Sequence, residues 1–344
     1  MITVKKDVFA GKRVLVTGGT GSFGHHIVDR LLKENPAEIR IFSRDEDKQV
    51  RMSEEYGMSH AYPRDGLLNF IIGDVRDLKS VKQAMNGIDL VFHAAALKHV
   101  PLCEYHVWQA VQTNIQGAQN IIQAALDEEV EKVIAISTDK AVKPVNAMGM
   151  TKALQEKLFT AANFHKGKKA TVFACVRYGN VVGSRGSVIP LFKRQIESGG
   201  PLTITDPNMT RFMLTLSEGI DLVFQAAANA VGGEIFVLKI PAATVKDIAD
   251  VMLSALSGGV ALPVKVVGVR PGEKIHEVLI SEAESLRTID AGPSYIVLPQ
   301  LELSEVDLSR HDGPAVDFQE YTSDLTQRLS KEEIKAILGR SGWI

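Results

Sequence analysis

"RVLVTGGTGSFG", at Arg13–Gly24, is the stretch of sequence that decides the fold of this chain. It joins a short apolar run, rich in β-branched residues, to a glycine-rich turn. Phe23, Ile27 and Leu31 then recur at a spacing of four, which is typical of an amphipathic helix. We therefore predict a buried strand at Arg13–Thr17, a tight turn and a helix.

Glycines recur in this turn at the spacing of a dinucleotide-binding fingerprint. Gly18, Gly21 and Gly24 are three residues apart, and Gly19-x-Gly21-x-x-Gly24 also fits the pattern. Such a turn lets the backbone approach a pyrophosphate closely and directs a helix amino terminus at the anion. A plain structural turn is the alternative, but the strand before it and the helix after it favour a cofactor site. The expected contacts are Gly18, Thr20, Gly21, Ser22, Phe23 and Gly24.

Apolar strands and amphipathic helices alternate through the first half of the chain. Continuous apolar strands separated by helices indicate parallel pairing, with helices covering both faces of the sheet. The further predicted strands are Ile39–Ser43, Phe70–Gly73, Leu90–Ala94, Val133–Thr138 and Thr171–Tyr178. We predict an α/β fold, a Rossmann-like doubly wound parallel sheet with a smaller α/β substrate lobe.

The regular alternation ends near Asn180, where a loop-rich stretch begins. Beyond it we predict helices at Ser217–Ala230, Val245–Leu256 and Lys331–Leu338. We also predict strands at Glu234–Ile240 and Pro263–Val269. The predicted organisation is a dinucleotide-binding domain at 1–180 together with 216–240, a substrate lobe at 181–215 and 241–290, and a C-terminal extension at 291–344.

The composition is that of an ordinary globular protein and excludes several functional classes. A net charge of -2 argues against a nucleic-acid-binding or membrane-surface protein. Cys103 and Cys175 stand in no metal-ligand spacing, so we expect no metal and a reducing compartment. No apolar run approaches membrane-spanning length, and the first residues have no leader pattern. We predict a soluble, cytoplasmic chain.

The residues after the second predicted strand bear on the choice of cofactor. An NAD enzyme carries an acid about 20 residues past the glycines, to bind the ribose 2′-hydroxyl. This chain has Ser43, Arg44 and Asp45 there, with Lys48 beyond. A guanidinium suits a 2′-phosphate, so we predict NADP. Alternatively, Arg44 is only a solvated surface residue, and the nearby Asp45 allows NAD as the cofactor. The later strand ends add the expected contacts Asp74, Val75, Ala94 and Ala95.

Polar clusters follow each of the later strands. Asp74 follows the third strand, Lys98 the fourth, "STDK" at 137–140 the fifth, and Asn180 the sixth. Ligands of open α/β sheets bind beyond the carboxyl ends of the strands. Clusters at so many strand ends are difficult to explain by packing, and they predict one shared binding site.

Six motifs together resemble a known family. They are the glycine turn, "HAAALKHVP", "STDKAVKPVNAMGMTK", "RYGNVVGSRGSVIP", "TITDPNMTRF" and "RPGEKIHEVL". The chain resembles the extended short-chain dehydrogenase/reductases, and more narrowly the inverting UDP-N-acetylglucosamine 4,6-dehydratases. It is most similar to their capsular polysaccharide members, which also have methionine in "NAMG". The likeness extends over nearly the whole chain, and the "STDK…NAMG" pattern is its most specific part.

The resemblance implies a lyase that carries out internal redox chemistry. A hydride leaves C4 of the sugar for the cofactor, water is lost across C5 and C6, and the hydride returns to C6. By the same resemblance Lys140 is the base at C5 and Asp139 is the acid for the C6 hydroxyl. Lys152 binds the nicotinamide ribose, and Thr138 contacts the sugar.

Elementary chemistry agrees with the assignment of Asp139 and Lys140. Elimination needs an acid and a base near neutral pH, and burial beside a partner can shift either pKa into that range. An exposed loop ion pair is the alternative. For the UDP moiety of UDP-N-acetylglucosamine, the resemblance points to Asn180, Arg211, Arg270 and Glu273, and we expect Lys98 to contact the sugar or its phosphate.

Met148 stands where many nicotinamide enzymes have a tyrosine, four residues before Lys152. A thioether cannot take the C4 hydroxyl proton. The enzyme is then inactive, or the proton goes to Asp139, Lys140 or a water held by Thr138, or another tyrosine such as Tyr178 moves in. Retention of the acid, the base and the ribose lysine favours an active enzyme.

Two other functional classes stay open at this stage. A UDP-sugar 4-epimerase of this fold needs the tyrosine and does not need the Asp-Lys pair. A non-catalytic nucleotide-sensing protein keeps the glycine turn but does not need Asp139 and Lys140. The resemblance also implies a homo-oligomer, often a hexamer. The polar C-terminal tail is then an element of the interface or, alternatively, a solvated tail.

Overall fold

Strands and helices alternate along the chain from Arg13, in a computed structural model that describes residues 8–58, 66–184, 186–270, 272–302 and 306–344. The strands are β1 (Arg13–Thr17), β2 (Glu38–Ser43), β3 (Leu68–Ile72), β4 (Leu90–His93), β5 (Lys132–Ile136), β6 (Val172–Arg177), β7 (Leu202–Ile204), β8 (Thr210–Phe212), β9 (Ile235–Leu238), β10 (Ala242–Thr244), β11 (Val264–Val266), β12 (Val278–Ile280), β13 (Thr288–Asp290), β14 (Ser294–Val297) and β15 (Tyr321–Thr322). The α-helices are α1 (Ser22–Leu31), α2 (Glu46–Glu55), α3 (Leu78–Met85), α4 (Val100–Tyr105), α5 (Val107–Ala110), α6 (Gly117–Asp127), α7 (Ala147–His165), α8 (Val188–Glu197), α9 (Leu216–Asn229), α10 (Val245–Leu256), α11 (Glu282–Ser285) and α12 (Lys331–Arg340).

Nine of these strands form one sheet in the order β13-β14-β9-β6-β5-β4-β1-β2-β3. The strands from β3 to β9 in that order are parallel, and β14 and β13 add to the edge in antiparallel pairing. The chain runs outward from β1 in one direction to β3 and in the other from β4 to β9, which creates a switch point between β1 and β4. The predicted Rossmann-like doubly wound sheet is confirmed.

The central strands are apolar along their whole length because both faces of the sheet are covered. Every residue of β4 is buried, and so are four of the five residues of β1 and of β5. On the face of the sheet that α9 covers, the rings of Phe9, Phe92 and Phe224 pack together, with 4.7 Å between the centroids of Phe9 and Phe224. This packing holds α9 against the centre of the sheet.

A second, smaller apolar core lies in the later part of the chain. It is built from α8, α10 and α12 together with the short strand β7, which pairs with the exposed strand β11. Phe192, Leu202, Ile248 and Leu338 are among its fully buried side chains. The segment for which we predicted a C-terminal extension is divided between the two cores, since β14 joins the large sheet and α12 packs against α10.

Several elements differ from the sequence-based expectations. The helical pattern from Val107 to Leu126 predicts one helix, but in the structure a π-helical segment at Val111–Gln116 interrupts it. Part of the stretch predicted as loop forms α8, whose Pro190 is tolerated because the first-turn amides of a helix have no intrahelical acceptor. None of the helices in the described part of the chain is long and apolar enough to cross a membrane.

Candidate active site

The glycine turn after β1 is shaped by close backbone contacts. Gly18 has φ +68°, and a Cβ added to it would lie 2.8 Å from the backbone nitrogen of Ala95. A Cβ on Gly24 would lie 2.4 Å from the Gly18 carbonyl oxygen. In the part of the chain that the structure describes, no side chain caps the amino terminus of α1 at Gly21. Open helix amides beside a backbone without side chains fit the pyrophosphate of a dinucleotide.

The end of β2 carries the predicted determinants of cofactor choice. The Thr20 hydroxyl donates to Ser43 Oγ at 3.0 Å. The Asp45 carboxylate caps α2, accepting from the backbone N–H of Lys48 at 3.1 Å and from the Lys48 ammonium. Arg44 is half exposed, with Nη1 3.6 Å from Asp74 Oδ2. The acid nearest to Arg44 in the sequence is therefore already occupied by the helix it caps.

The remaining predicted cofactor residues lie along the neighbouring strand ends. Burial would raise the pKa of Asp74, but the hydrogen bonds from Arg76 outweigh burial and lower it. Val75 is buried, and its carbonyl accepts from Asn120 Nδ2 at 2.9 Å. The backbone N–H of Ala94 donates to the Thr17 carbonyl at 3.1 Å, and Ala95 follows it against Gly18.

A cavity of about 510 Å³ lies beyond the carboxyl ends of the parallel strands, between the large sheet and the second core. It is bounded on the sheet side by Ser22, Phe23 and Ala94 of the predicted cofactor set. All the predicted catalytic and substrate residues line it: Thr138, Asp139, Lys140, Lys152, Lys98, Asn180, Arg211, Arg270 and Glu273. Residues from distant parts of the sequence therefore share one space.

The Asp139–Lys140 pair forms a short 3₁₀ turn directly after β5. Lys140 Nζ donates to Asp139 Oδ1 at 3.0 Å, and the Thr138 hydroxyl donates to the same oxygen at 2.7 Å. The Asp139 side chain is almost fully buried, and its Oδ2 has no hydrogen-bond partner among the described residues. The pair is thus an inward-facing element of the cavity wall and not an exposed loop ion pair.

Glu277 completes this cluster, and the sequence analysis did not single it out. Its Oε1 lies 3.3 Å from Lys140 Nζ and 3.6 Å from Arg211 Nε. The residue is buried just before β12, and its Oε2 has no partner among the described residues. Glu277 stands inside the quoted motif "RPGEKIHEVL", but no periodicity there indicates which of its carboxylates faces the cavity.

The charges of this cluster shift one another's pKa values. Burial raises the pKa of the Asp139 carboxyl, and the Glu277 carboxylate adds to the rise against the opposing effect of Lys140. Burial would lower the pKa of Lys140, but the carboxylates of Asp139 and Glu277 raise it overall. Burial would raise the pKa of Glu277, but Lys140 and Arg211 lower it. Asp139 is therefore the carboxyl of the two that holds a proton more readily.

Arg211 is held more firmly than a simple anion-binding arginine. Its Nη1 donates to the backbone carbonyls of Thr210 at 2.7 Å and Ile275 at 3.1 Å, and its Nη2 donates to that of Lys274 at 3.1 Å. Arg270 is different, since its side chain is 60% exposed and Nη1 lies 3.9 Å from Glu273 Oε1. Arg270 is thus the more available of the two guanidinium groups.

Lys152 lies on the buried face of α7 and points at the end of β5. Its Nζ donates to the Ile136 carbonyl at 2.5 Å and to Gln155 Oε1 at 2.6 Å. Burial lowers the pKa of Lys152 to about 8. Met148 lies one helical turn earlier on the same face, buried against Cys103 and Ala110 while also lining the cavity.

Asn114 and Tyr178 also lie near these groups. Asn114, in the π-helical segment, accepts from the backbone N–H of Leu97 at 2.8 Å and donates to Thr151 at 2.9 Å. Tyr178 lines the cavity with its ring stacked on Phe23, 5.0 Å between centroids. Burial raises the pKa of the Tyr178 hydroxyl well above its ordinary value.

The described residues contain no cluster of histidine, cysteine and acidic side chains that could hold a metal ion. The fold is shared with solved structures of a dTDP-glucose 4,6-dehydratase and of a UDP-N-acetylglucosamine 4-epimerase. The chain belongs to the family described as "Polysaccharide biosynthesis protein", whose model matches residues 14–299.

Two curated relatives are similar over nearly their whole length. The "Uncharacterized membrane protein MJ1061" of Methanocaldococcus jannaschii is 45% identical over 337 residues, which is 96% of each chain. A protein named UDP-glucose 4-epimerase from Rickettsia akari is 43% identical over 339 residues, again 96% of each chain.

Solved structures extend the comparison. Pen from Bacillus thuringiensis is 39% identical, with a TM-score of 0.87 over 97% of this chain and 98% of that chain. DesIV from Streptomyces venezuelae, a dTDP-glucose 4,6-dehydratase solved with NAD bound, is 23% identical with a TM-score of 0.67, covering 87% of this chain and 95% of that one. At that identity, the second likeness establishes the shared fold alone.

Proposed function

We propose that this protein is a C5-inverting UDP-N-acetylglucosamine 4,6-dehydratase. It uses NADP and forms a UDP-4-keto-6-deoxy-hexosamine for surface polysaccharide synthesis. The observation that carries the proposal is the buried contact of 3.0 Å between Lys140 Nζ and Asp139 Oδ1 on the cavity wall. An acid and a base side by side suit elimination of water, and the resemblance to the capsular enzymes with methionine at the position of Met148 points to the same reaction.

The preference for NADP rests on the end of β2. Arg44 is half exposed there, whereas the Asp45 carboxylate is engaged by Lys48 and the start of α2. A guanidinium is a good partner for a 2′-phosphate, and an acid already used as a helix cap is a poor partner for a ribose diol. The bound nicotinamide supplies a temporary hydride acceptor, so the dehydration needs no external oxidant.

The carboxylates raise the pKa of Lys140 and favour its ammonium form, so Lys140 acts as a base only after it has passed a proton to Asp139. The Lys140 ammonium passes a proton to the Asp139 carboxylate across their 3.0 Å contact, which leaves a neutral amine and a carboxylic acid. Once C4 is a ketone, the amine takes the C5 proton and the C5–H electrons form the C5–C6 double bond. The C6–O bond breaks, and the Asp139 proton leaves with that oxygen as water.

The other cavity residues divide between the two ends of the substrate. Arg270 and Lys98 provide positive charge for the diphosphate, and the Glu273 carboxylate suits a ribose diol. The Thr138 hydroxyl donates to Asp139 Oδ1, so we assign Thr138 to the sugar, while Asn180 stays assigned to the UDP moiety. The buried Oδ1 of Asn180 has no partner among the described residues, which leaves it available as an acceptor.

A homo-oligomer is part of the same proposal. The outer faces of α5 and α7 expose Trp108, Met150, Leu154 and Phe164, and each of these side chains is more than half exposed. Apolar side chains concentrated on neighbouring helices indicate a surface that another copy covers. Light scattering of the purified protein measures the assembly directly, and a monomeric mass rejects this part of the proposal.

A UDP-sugar 4-epimerase is the second candidate, because a relative 43% identical carries that name. The chemistry of the cavity favours it less. An epimerase of this fold needs a hydroxyl acid/base near Lys152, and Met148 has none. An epimerase also has no use for a buried acid and base beside C5 and C6.

Mass spectrometry after incubation with UDP-N-acetylglucosamine and NADP separates these functions. A dehydratase product has lost one water, whereas an epimerase product keeps the substrate mass and differs only in its chromatographic position or NMR spectrum. Lys140→Ala serves as the matched control for any background loss of water. An unchanged substrate mass with a new sugar stereoisomer would reject the dehydratase and support the epimerase.

A further inference from the structure

We infer that Glu277 is a positioning residue for the proton chemistry of Lys140, an inference that rests on the proposed dehydratase function. Lys140 Nζ lies between two carboxylates, 3.0 Å from Asp139 Oδ1 and 3.3 Å from Glu277 Oε1. The ammonium group of lysine is carried on a flexible four-carbon stem, so a second acceptor restricts the positions that it takes. Without Glu277, Lys140 could turn about its remaining contact with Asp139.

Glu277 can act as a fixed support because its surroundings are rigid. The backbone N–H of Glu277 donates to Ser323 Oγ, and the backbone N–H of Ser323 donates to the Glu277 carbonyl, both at 2.9 Å. On the side-chain end, Arg211 Nε lies 3.6 Å from Oε1, and three backbone carbonyls hold that guanidinium. The carboxylate therefore keeps its place while the charge of Lys140 changes.

The two carboxylates beside Lys140 have different neighbours, and this difference gives them different tasks. Arg211 is beside Glu277, whereas the side-chain hydrogen bonds that Asp139 receives from described residues come from Lys140 and the Thr138 hydroxyl. A permanent cation keeps Glu277 ionised, so the proton that Lys140 releases goes to Asp139. The neutral amine still has an N–H to donate to Glu277, and its lone pair is left for the C5 proton.

Glu277→Gln tests this arrangement because it keeps the shape and removes the charge. The charged groups that face Lys140 are Asp139 on its own turn, Arg211 on β8 and Glu277 before β12; Lys274 also lines the cavity. The Glu277 carboxylate raises the pKa of both Lys140 and Asp139. Loss of this carboxylate lowers both pKa values. We therefore expect both limbs of a bell-shaped profile of kcat against pH to move to lower pH.

The kinetic parameters provide a second readout. We expect Glu277→Gln to lower kcat by roughly 10- to 100-fold while KM for the UDP-sugar stays within about two-fold, since Lys140 is displaced and substrate contacts are kept. Glu277→Asp keeps the charge and should retain the parent pH profile. The matched control is Glu282→Gln, which removes an exposed carboxylate that pairs with Lys143. An unshifted profile in Glu277→Gln would overturn the inference.

A measurement without substrate separates this inference from the proposed function. Trace acetylation of the free protein across a pH series, read on the Lys140 peptide by mass spectrometry, reports the titration of that amine. We expect Lys140 to react at lower pH in Glu277→Gln than in the parent. If the parent does not dehydrate UDP-N-acetylglucosamine but this shift occurs, the proposed function fails and the electrostatic role of Glu277 stands. If the shift is absent, the role of Glu277 is rejected whatever the activity.

Discussion

The indole of Trp343 lies directly against the backbone of Gly183. A Cβ added to Gly183 would stand 2.0 Å from Trp343 Nε1 and 2.2 Å from its Cε2, and Gly183 has φ +72°. The neighbours Val182 and Ser184 line the cavity, so the second residue from the C-terminus supports the loop that follows Asn180. A residue remote in sequence from every site motif thereby contacts the wall of the site.

We expect Gly183→Ala to lower the free energy of unfolding by roughly 1–3 kcal/mol beyond the cost of a positive φ, because ring atoms must move. Gly167→Ala is the matched control: Gly167 has φ +61° and nothing within 4 Å of an added Cβ. Urea unfolding of both variants isolates the clash. In a Trp343→Ala background the extra cost should vanish, and equal losses at Gly183 and Gly167 in the parent would contradict the contact.

Lys140→Ala should lose roughly 10²- to 10⁴-fold in rate, the usual loss for a positioned general base. In the parent, deuterium from the solvent should enter the product at C5, because Lys140 exchanges the proton it carries. In Lys140→Ala this C5 exchange should disappear. Mass spectrometry and NMR of the product in D2O measure it, and washout at the parent rate would assign the C5 base to another group.

Met148→Leu should keep kcat within a few-fold of the parent. The side chain is buried against Cys103 and Ala110, and a volume-conserving apolar replacement costs about 1.5 kcal/mol or less in stability. Because neither side chain exchanges a proton, the pH profile should also stay in place. A loss of kcat comparable with that of Lys140→Ala would show that the thioether has a specific role.

Arg44→Ala should weaken binding of NADP and leave binding of NAD nearly unchanged. Arg44 is half exposed at the end of β2, and among the described residues its guanidinium forms an ion pair with Asp74 at 3.6 Å. Isothermal titration with each cofactor measures the two affinities. Equal losses for both cofactors would remove the argument for a 2′-phosphate contact.

His93→Gln should make stability less dependent on pH in the acid range. Burial lowers the pKa of His93 to about 3, against an ordinary value of 6.5. Between these values the unfolded chain binds the proton and the folded chain does not, so the parent loses stability as pH falls through this window. Urea unfolding at several pH values should give a flatter slope in the variant below about pH 6.5. Parallel curves there would reject this role for His93.

The fold class and the first half of the sheet could be derived from local patterns. β1 was predicted with its observed bounds, and β2 to β6 within a few residues, because strands buried on both faces are continuous apolar runs. The π-helical segment at Val111–Gln116 could not be derived, because no periodicity reports a change of helix type. The short strands β7, β8 and β12 were missed for a similar reason, since three residues are too few to show a period.

The sequence by itself determined that strand ends carry polar residues, and parallel pairing brings those ends to one edge. This is why Lys98, Asp139 and Asn180, taken from three separate motifs, line one cavity. Only the tertiary structure decided which groups touch. Glu277 forms an ion pair with Lys140, and Arg211 donates hydrogen bonds to backbone carbonyls. Trp343 packs against Gly183. These contacts join segments far apart in the chain, and their distances depend on how the second core packs on the sheet, which no local pattern encodes.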